Sequence, residues 1–169
     1  SPLGESTGAA VIFGTTGGVI EAATRTAVEW LTGKPLDDVN FTALRGLEGC
    51  REAKLKVGDL ELHIGIAHEP GNARKLLDSI RAGTVEPFHA IEIMACPGGC
   101  VGGGGQPIAF NQELARERAA VLNSLDGADV LRYSHENPDI AALYERLHER
   151  PLSEKAEKLL HTDQLTWDI

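Results

Sequence analysis

The chain has 169 residues and a mass of 18.1 kDa, and 42% of its residues are apolar, enough to bury the core of one ordinary domain with an appendage. Its 25 acidic and 16 basic side chains give a net charge of −9, which makes sequence-independent binding to nucleic acid or to an anionic membrane a poor fit. No apolar run approaches the length of about eighteen residues that a membrane span needs, and we expect no signal peptide. Three cysteines suit a reducing compartment, so we expect a cytoplasmic location.

Hydrophobic spacing predicts a series of helices and strands before residue 95. In chain order they are a strand at 11–13 that enters a glycine turn, a helix at 19–31, a β-hairpin at 53–66, a helix at 70–83 and a mostly buried strand at 88–93. The hairpin turns at Gly58-Asp59, and Gly33 and Pro35 close the first helix. The last strand leads directly into a loop that contains two cysteines.

The C-terminal third differs in composition, since residues 111–169 contain no cysteine and a single glycine. One predicted helix contains Leu114, Val121, Leu122 and Leu125. Asn137 and Ser153 each have the side chain of a helix N-cap, so two further helices are predicted after them. The predicted fold is α/β: a lobe at 1–110 with a small mixed sheet flanked by helices, followed by a helical tail at 111–169.

The cysteine loop (residues 94–107) reads MACPGGCVGGGGQP. Six of the chain's nineteen glycines lie between 98 and 105, so the surplus of glycine is local and indicates a site. Half of a zinc site and a redox disulfide are alternatives, although both usually use the closer spacing C-x2-C. A Pro-Gly-Gly spacer followed by four glycines can wrap a bulky group and direct backbone N–H groups inward, which favours an iron–sulfur cluster.

These residues carry a resemblance to a known family. The segment FHAIEIMAC at 88–96, continued through Gln106-Pro107, resembles the third signature of the [FeFe]-hydrogenases, or iron-only hydrogenases, and fills each of its fixed positions. Residues 7–19, TGAAVIFGTTGGV, are similar to the family's glycine-turn helix entry. The segment HENP at 135–138, with LLHT at 159–162, resembles the small-subunit region that some members carry as a separate chain.

The resemblance implies a role for five residues. Cys96 would ligate a [4Fe–4S] cubane, and Cys100 would bridge that cubane to a di-iron subsite that carries CO, cyanide and dithiolate ligands; together these groups form the H-cluster. Met94, Phe13 and Gly14 would line the di-iron pocket. The start of a helix beside the glycine turn also offers backbone N–H groups and a positive dipole end, which suits cyanide-bearing iron.

Two other family signatures are missing from this sequence. They supply the remaining cubane ligands, a proton-relay cysteine and a lysine that holds a cyanide, and both are expected to precede residue 1. A cubane needs four ligands in most proteins, and this chain has two of them. We therefore expect a fragment or subunit that is inactive alone, with the missing half as its partner. Electron partners in the family are ferredoxin, cytochromes or flavin and nicotinamide subunits.

The other cysteine, the histidines and several acidic residues are predicted to have structural or surface roles and no catalytic one. Cys50 is predicted to be a small buried apolar residue. The six histidines are predicted to be structural or on the surface, and His63, opposite the apolar phase of the hairpin, is predicted to face solvent. Glu92 is expected to cap backbone groups or pair with a base, and the acids at 145, 149, 154 and 157 are expected on a solvated helix face.

The sequence is consistent with three functions. The first is reversible interconversion of 2H⁺ + 2e⁻ and H2, as part of an [FeFe]-hydrogenase. The second is a non-catalytic iron–sulfur homologue that acts in cluster assembly or sensing. The third is thiol redox chemistry by Cys96 and Cys100, which predicts a lowered thiol pKa.

Overall fold

The computed structural model describes residues 4–107 and 113–161. Two compact units are present, one formed by Ser6–Ser134 and the other by the tail from His135 together with Gly4 and Glu5. The predicted domain boundary between residues 110 and 111 lies outside the described residues.

The first unit begins with helix rather than strand. Helix α1 spans Gly8–Val11, a 3₁₀ turn follows at Ile12–Gly14, and helix α2 spans Gly18–Thr32. The predicted strand at 11–13 is therefore wrong, because the Thr7 side chain accepts a hydrogen bond from the Ala10 N–H and so caps a helix there. The predicted helix at 19–31 is confirmed.

A three-stranded mixed sheet forms the centre of this unit. Strand β1 (Cys50–Val57) pairs antiparallel with β2 (Leu60–His68), and β3 (Ala90–Met94) pairs parallel with β2, so the order is β1-β2-β3. Helix α3, Pro70–Arg81, makes the crossover between β2 and β3. The predicted hairpin, helix and mixed sheet are confirmed.

One face of the sheet contributes most of the core. Its buried cluster consists of Leu44, Ala53, Leu55, Ile64 and Ile66, and Ile20 of α2 packs against it. The edge strand β3 is less buried than predicted, since Ile91 and Ile93 are exposed and only Glu92 is buried. The burial was predicted from the apolar run of the sequence. Such a run does not reveal whether a strand lies at the edge or in the middle of a sheet, and β3 lies at the edge.

His63 is buried, so its predicted solvent exposure is wrong. It does lie opposite the apolar face, but the Phe88 ring covers it at a centroid distance of 4.3 Å. Its Nε2 lies 3.0 Å from the carboxylate of Glu52, and its Nδ1 lies 3.2 Å from the carbonyl of Pro87. The prediction that Cys50 is buried is also wrong, because that residue is exposed at the start of β1.

An ionic cluster joins α2 to helix α4, Glu113–Ala128. Its centre is the fully buried pair of Arg25 and Asp126, whose charged atoms are 2.8 Å apart. The members of the ionic cluster are Glu21, Arg25, Arg45, Asp126 and Arg132. Burial alone would lower the pKa of Arg25, but its bonds to Asp126 and Glu21 outweigh that effect and raise it.

The region predicted as a helical tail at 111–169 is helical over much of its described residues 113–161, although α4 belongs to the first unit and only the later helices belong to the second. Helix α5 spans Pro138–Leu143, a π-helical turn follows at Tyr144–His148, and helix α6 spans Glu154–Leu160. Asn137 and Ser153 accept hydrogen bonds from the first N–H groups of α5 and α6, which confirms both predicted caps. None of the helices in the described ranges is both long and apolar enough to span a membrane.

Candidate metal centre

The cysteine loop starts where the edge strand β3 ends. Cys96 and Cys100 enclose a tight turn in which the Gly99 N–H donates to the Cys96 carbonyl at 3.0 Å. A 3₁₀ turn over Cys100–Gly102 continues the chain beyond it. Both thiols are free; Cys96 is half-buried and Cys100 is exposed. The loop therefore presents two unpaired sulfur ligands from one turn.

Glycine is required in this loop for space as well as for conformation. Gly99 has a φ of +94°, and a Cβ placed on it would lie 2.8 Å from the Thr16 nitrogen, 2.9 Å from Met94 Sδ and 3.0 Å from the Gly14 carbonyl oxygen. A Cβ on Gly103 would lie 3.2 Å from the sulfur of Cys96. Side chains are thus kept away from the cysteine sulfur and from the surface beside Met94.

The glycine turn (residues 13–18) meets this loop directly. The Thr16 N–H donates to the Gly98 carbonyl at 2.9 Å, so the backbone of the turn is bonded to the middle of the C-x3-C segment. The 3₁₀ turn places Gly14 against Leu122 of α4, because a Cβ on Gly14 would lie 2.7 Å from Leu122 Cδ1. The Phe13 side chain is 44% exposed. The structure thus brings Gly14 and Met94 together around Gly99.

Glu92 occupies the start of α2. Its buried carboxylate accepts from the Gly17 N–H and, at 2.9 Å, from the Ile20 N–H, which confirms that it caps backbone groups. Those two N–H groups are therefore already hydrogen-bonded within the protein. The negative carboxylate also lies at the positive end of the helix dipole and partly neutralises it. The expectation that this helix start offers free N–H groups to a ligand does not hold at Gly17 and Ile20.

Two arginines hold the site in place, and the sequence reasoning missed both. Arg51 Nη2 donates to the Thr16 carbonyl at 2.7 Å and to the Leu44 carbonyl at 3.0 Å, so β1 supports the glycine turn. Burial lowers the pKa of Arg51, and the nearby charge of Glu92 opposes that shift. Arg118 of α4 donates to the Val101 carbonyl at 2.9 Å and so supports the cysteine loop. No local pattern distinguishes these arginines from surface ones.

The donor set fits part of an iron–sulfur ligand set. Two free thiols lie in a loop whose glycines keep the space around the sulfur open, as a bulky cluster requires. Across the described ranges 4–107 and 113–161, no group of three or more His, Cys, Asp and Glu side chains is arranged to hold a metal ion. Further ligands would therefore have to come from other residues.

Comparison with known proteins identifies the family. The model of the iron only hydrogenase large subunit, C-terminal domain, matches residues 1–104, and that of the iron hydrogenase small subunit matches residues 112–163. The chain belongs to the iron-only hydrogenase family. The first model includes both cysteines, the glycine turn and the sheet, and the predicted resemblance is confirmed.

Two individual relatives differ in the function that their names give. It is 58% identical over 163 residues to the NADP-reducing hydrogenase subunit HndD of Solidesulfovibrio fructosivorans, covering 96% of this chain and 28% of HndD. It is 32% identical over 149 residues to the cytosolic iron-sulfur assembly component 3 of Bos taurus, covering 88% of this chain and 31% of the relative. The chain thus spans less than a third of the length of these curated relatives.

A solved structure shows the same fold. The [FeFe]-hydrogenase HydA1 from Chlamydomonas reinhardtii superposes with a TM-score of 0.70 at 37% identity, over 96% of this chain and 48% of that one. The predicted α/β fold, with its small mixed sheet and helices, is therefore confirmed. The roles expected for Cys96, Cys100, Met94, Phe13 and Gly14 stay predictions.

Proposed function

We propose that this chain supplies the C-terminal ligands of an H-cluster in an [FeFe]-hydrogenase that interconverts 2H⁺ + 2e⁻ and H2. Cys96 ligates a [4Fe–4S] cubane, and Cys100 bridges the cubane to a di-iron subsite. The remaining ligands come from residues outside this sequence, in the same polypeptide or in a partner subunit. The observation that carries the proposal is the pair of free thiols on a glycine-built turn that is bonded to a second glycine turn.

The chain's own residues have three tasks in this proposal. Cys96 and Cys100 bind iron as thiolates, and the glycines at 99 and 103 keep the adjoining space free of side chains. Met94, Gly14 and Phe13 line the di-iron pocket, which supports the exclusion of water from it. The bound H-cluster supplies the redox chemistry, while the protein supplies ligands, orientation and electrostatics.

The relatives also support a proposal for the electron partner. The similarity to a subunit of an NADP-reducing hydrogenase supports a flavin or nicotinamide electron-transfer subunit as the partner, with ferredoxin as the alternative. This proposal concerns the assembled protein and not this chain alone.

The test uses the protein purified anaerobically with its partner segment and the family's maturation factors. We expect iron, infrared bands of CO and cyanide, and H2 evolution. Cys100→Ala is expected to abolish H2 evolution, because the residue that joins the two parts of the cluster is lost. Cys50→Ala is the matched control: Cys50 is an exposed thiol outside the cysteine loop, so activity should stay unchanged. Full activity of Cys100→Ala would refute the proposal.

A second candidate is a non-catalytic iron–sulfur protein of cluster assembly. The similarity to the cytosolic iron-sulfur assembly component 3 supports it. The infrared measurement separates the two candidates. A bound cubane without CO or cyanide bands would favour the assembly function and would exclude hydrogen chemistry.

A further inference from the structure

A buried histidine holds the middle of the cysteine loop. His68 ends strand β2 and is only 5% exposed. Its Nδ1 lies 3.1 Å from the nitrogen of Gly98, and its Nε2 lies 3.1 Å from the carbonyl oxygen of Leu47. Gly98 lies midway between Cys96 and Cys100 in the sequence, so this side chain acts on the peptide that separates the two thiols.

The hydrogen bonds fix the tautomer of this ring. A backbone N–H can only donate, so Nδ1 must present its lone pair to Gly98. Nε2 then carries the proton and donates it to the Leu47 carbonyl, which can only accept. The carboxylate of Glu69 is 3.9 Å from Nδ1, too far for a hydrogen bond. Both ring nitrogens are therefore used, and the acceptor function belongs to Nδ1.

The same glycine is bonded on its other side as well. The Gly98 carbonyl accepts from the Thr16 N–H at 2.9 Å, so Gly98 is held between β2 and the glycine turn. Its φ of +73° lies in the left-handed region, which glycine adopts about as readily as the right-handed one, so the residue type alone does not fix this turn. Without the His68 acceptor, Gly98 would lose one of its two bonds to residues outside the cysteine loop.

We propose that His68 is a positioning residue of the cluster site, which fixes the Gly98 peptide and through it the directions of the Cys96 and Cys100 thiolates. The inference rests on the proposed function, because it assigns His68 a role toward the iron that these thiolates bind. His68 touches no cluster atom in this proposal. Residues that orient metal ligands from behind commonly change metal affinity by about 10–100-fold when they are replaced.

The experiment compares His68→Asn with His68→Gln in the iron-loaded protein that contains all of the cluster ligands. The Asn side chain can place its oxygen near the position of Nδ1, whereas the Gln side chain places its polar atoms near that of Nε2. His63→Gln is the matched control, since His63 is a buried histidine of the same strand with no bond to the loop. The two readouts are deuterium exchange of the Gly98 amide and the rate of iron loss to a chelator.

We expect His68→Gln to lose iron about 10–100-fold faster and to exchange the Gly98 amide faster, while His68→Asn and His63→Gln stay close to the unmodified protein. Equal rates in His68→Gln and the unmodified protein would overturn the proposal. Equally fast iron loss from His68→Asn and His68→Gln would also overturn it, because restoring the acceptor would then have no effect.

Two further measurements separate the possible failures. If the unmodified protein binds no iron, the proposed function fails, and amide exchange alone decides whether His68 holds Gly98. If the His68→Gln variant does not fold, ¹⁵N NMR of the unmodified protein decides the case. A proton on Nε2 and none on Nδ1 supports the proposal, and the reverse tautomer contradicts it.

Discussion

The cysteine loop and the ionic cluster both join parts of the chain that are far apart in sequence, but they do so by opposite means. The loop is held through its own backbone groups, which bond to the Thr16 N–H and to the His68 and Arg118 side chains, and few side chains lie near the sulfurs. The ionic cluster is held by long charged side chains, with Arg25 and Asp126 completely buried. The loop therefore leaves space beside its sulfurs, as the proposed cluster would require, whereas the ionic cluster fills the space between α2 and α4 with side chains.

The largest effect is expected where a buried charge loses its partner. Asp126→Asn replaces a carboxylate oxygen by an NH2 group that faces the N–H donors of Arg25 and Arg132. Breaking a buried pair in this way costs about 3–5 kcal/mol, because uncompensated charge stays buried. Urea unfolding of the variant and the unmodified protein measures the difference.

Asp78→Asn is the matched control, since it breaks an exposed pair with Arg81 of the same type. Exposed pairs contribute about 0–1 kcal/mol, so this variant should unfold almost as the unmodified protein does. If both variants lost the same stability, burial would not be the reason for the large effect.

Adding one atom to the cysteine loop is expected to have the next largest effect. Gly99→Ala forces a Cβ against the Thr16 nitrogen and Met94 Sδ, and it places a side chain at a φ of +94°. Overpacking and backbone strain together predict a loss of about 2–4 kcal/mol in the free energy of unfolding. The melting temperature and the iron content of the variant are the measurements.

Gly104→Ala separates space from glycine content. A Cβ on Gly104 would meet no atom within 4 Å, and this residue has no positive φ. We expect a change within about 0.5 kcal/mol, as at an ordinary surface position. A large loss of stability here would show that the loop needs glycine for a reason other than space, and the contrast drawn between the loop and the ionic cluster would be wrong.

The smallest expected effect is the dependence of stability on acidic pH. Burial alone would raise the pKa of Asp126, but the hydrogen bonds from Arg25 and Arg132 outweigh it and lower the pKa. The carboxyl therefore contributes stability above its unfolded pKa of about 3.9 and loses that contribution as the pH falls through the lower folded value. The gap in unfolding free energy between the unmodified protein and Asp126→Asn should stay constant above about pH 5 and narrow below about pH 4. A gap that stays constant down to pH 2 would contradict this assignment.

Local patterns predicted the parts of the fold that local interactions determine. The hairpin alternation gave β1 and β2, and the caps Asn137 and Ser153 gave the starts of α5 and α6. The short apolar run at 11–13 was misassigned, because three apolar residues fit a strand and a helix equally well. The hydroxyl of Thr7, four residues earlier, was the available signal for a helix.

The supports of the site could not be predicted in this way. Arg51, His68 and Arg118 each bond to a carbonyl or N–H group far along the chain, and nothing in their sequence neighbours indicates that partner. The loop and its two cysteines were recognisable because they are adjacent in sequence. The residues that orient the loop are adjacent only in space.

The bond between Thr16 and Gly98 also bears on the order of events during synthesis. These residues are 82 positions apart, so the glycine turn leaves the ribosome long before its partner exists. At a translation rate of about 5–20 residues per second, the delay is roughly 4–16 s. The two thiols emerge only at the end of that interval, so under the proposed function these thiols could receive iron only after most of this lobe has been made.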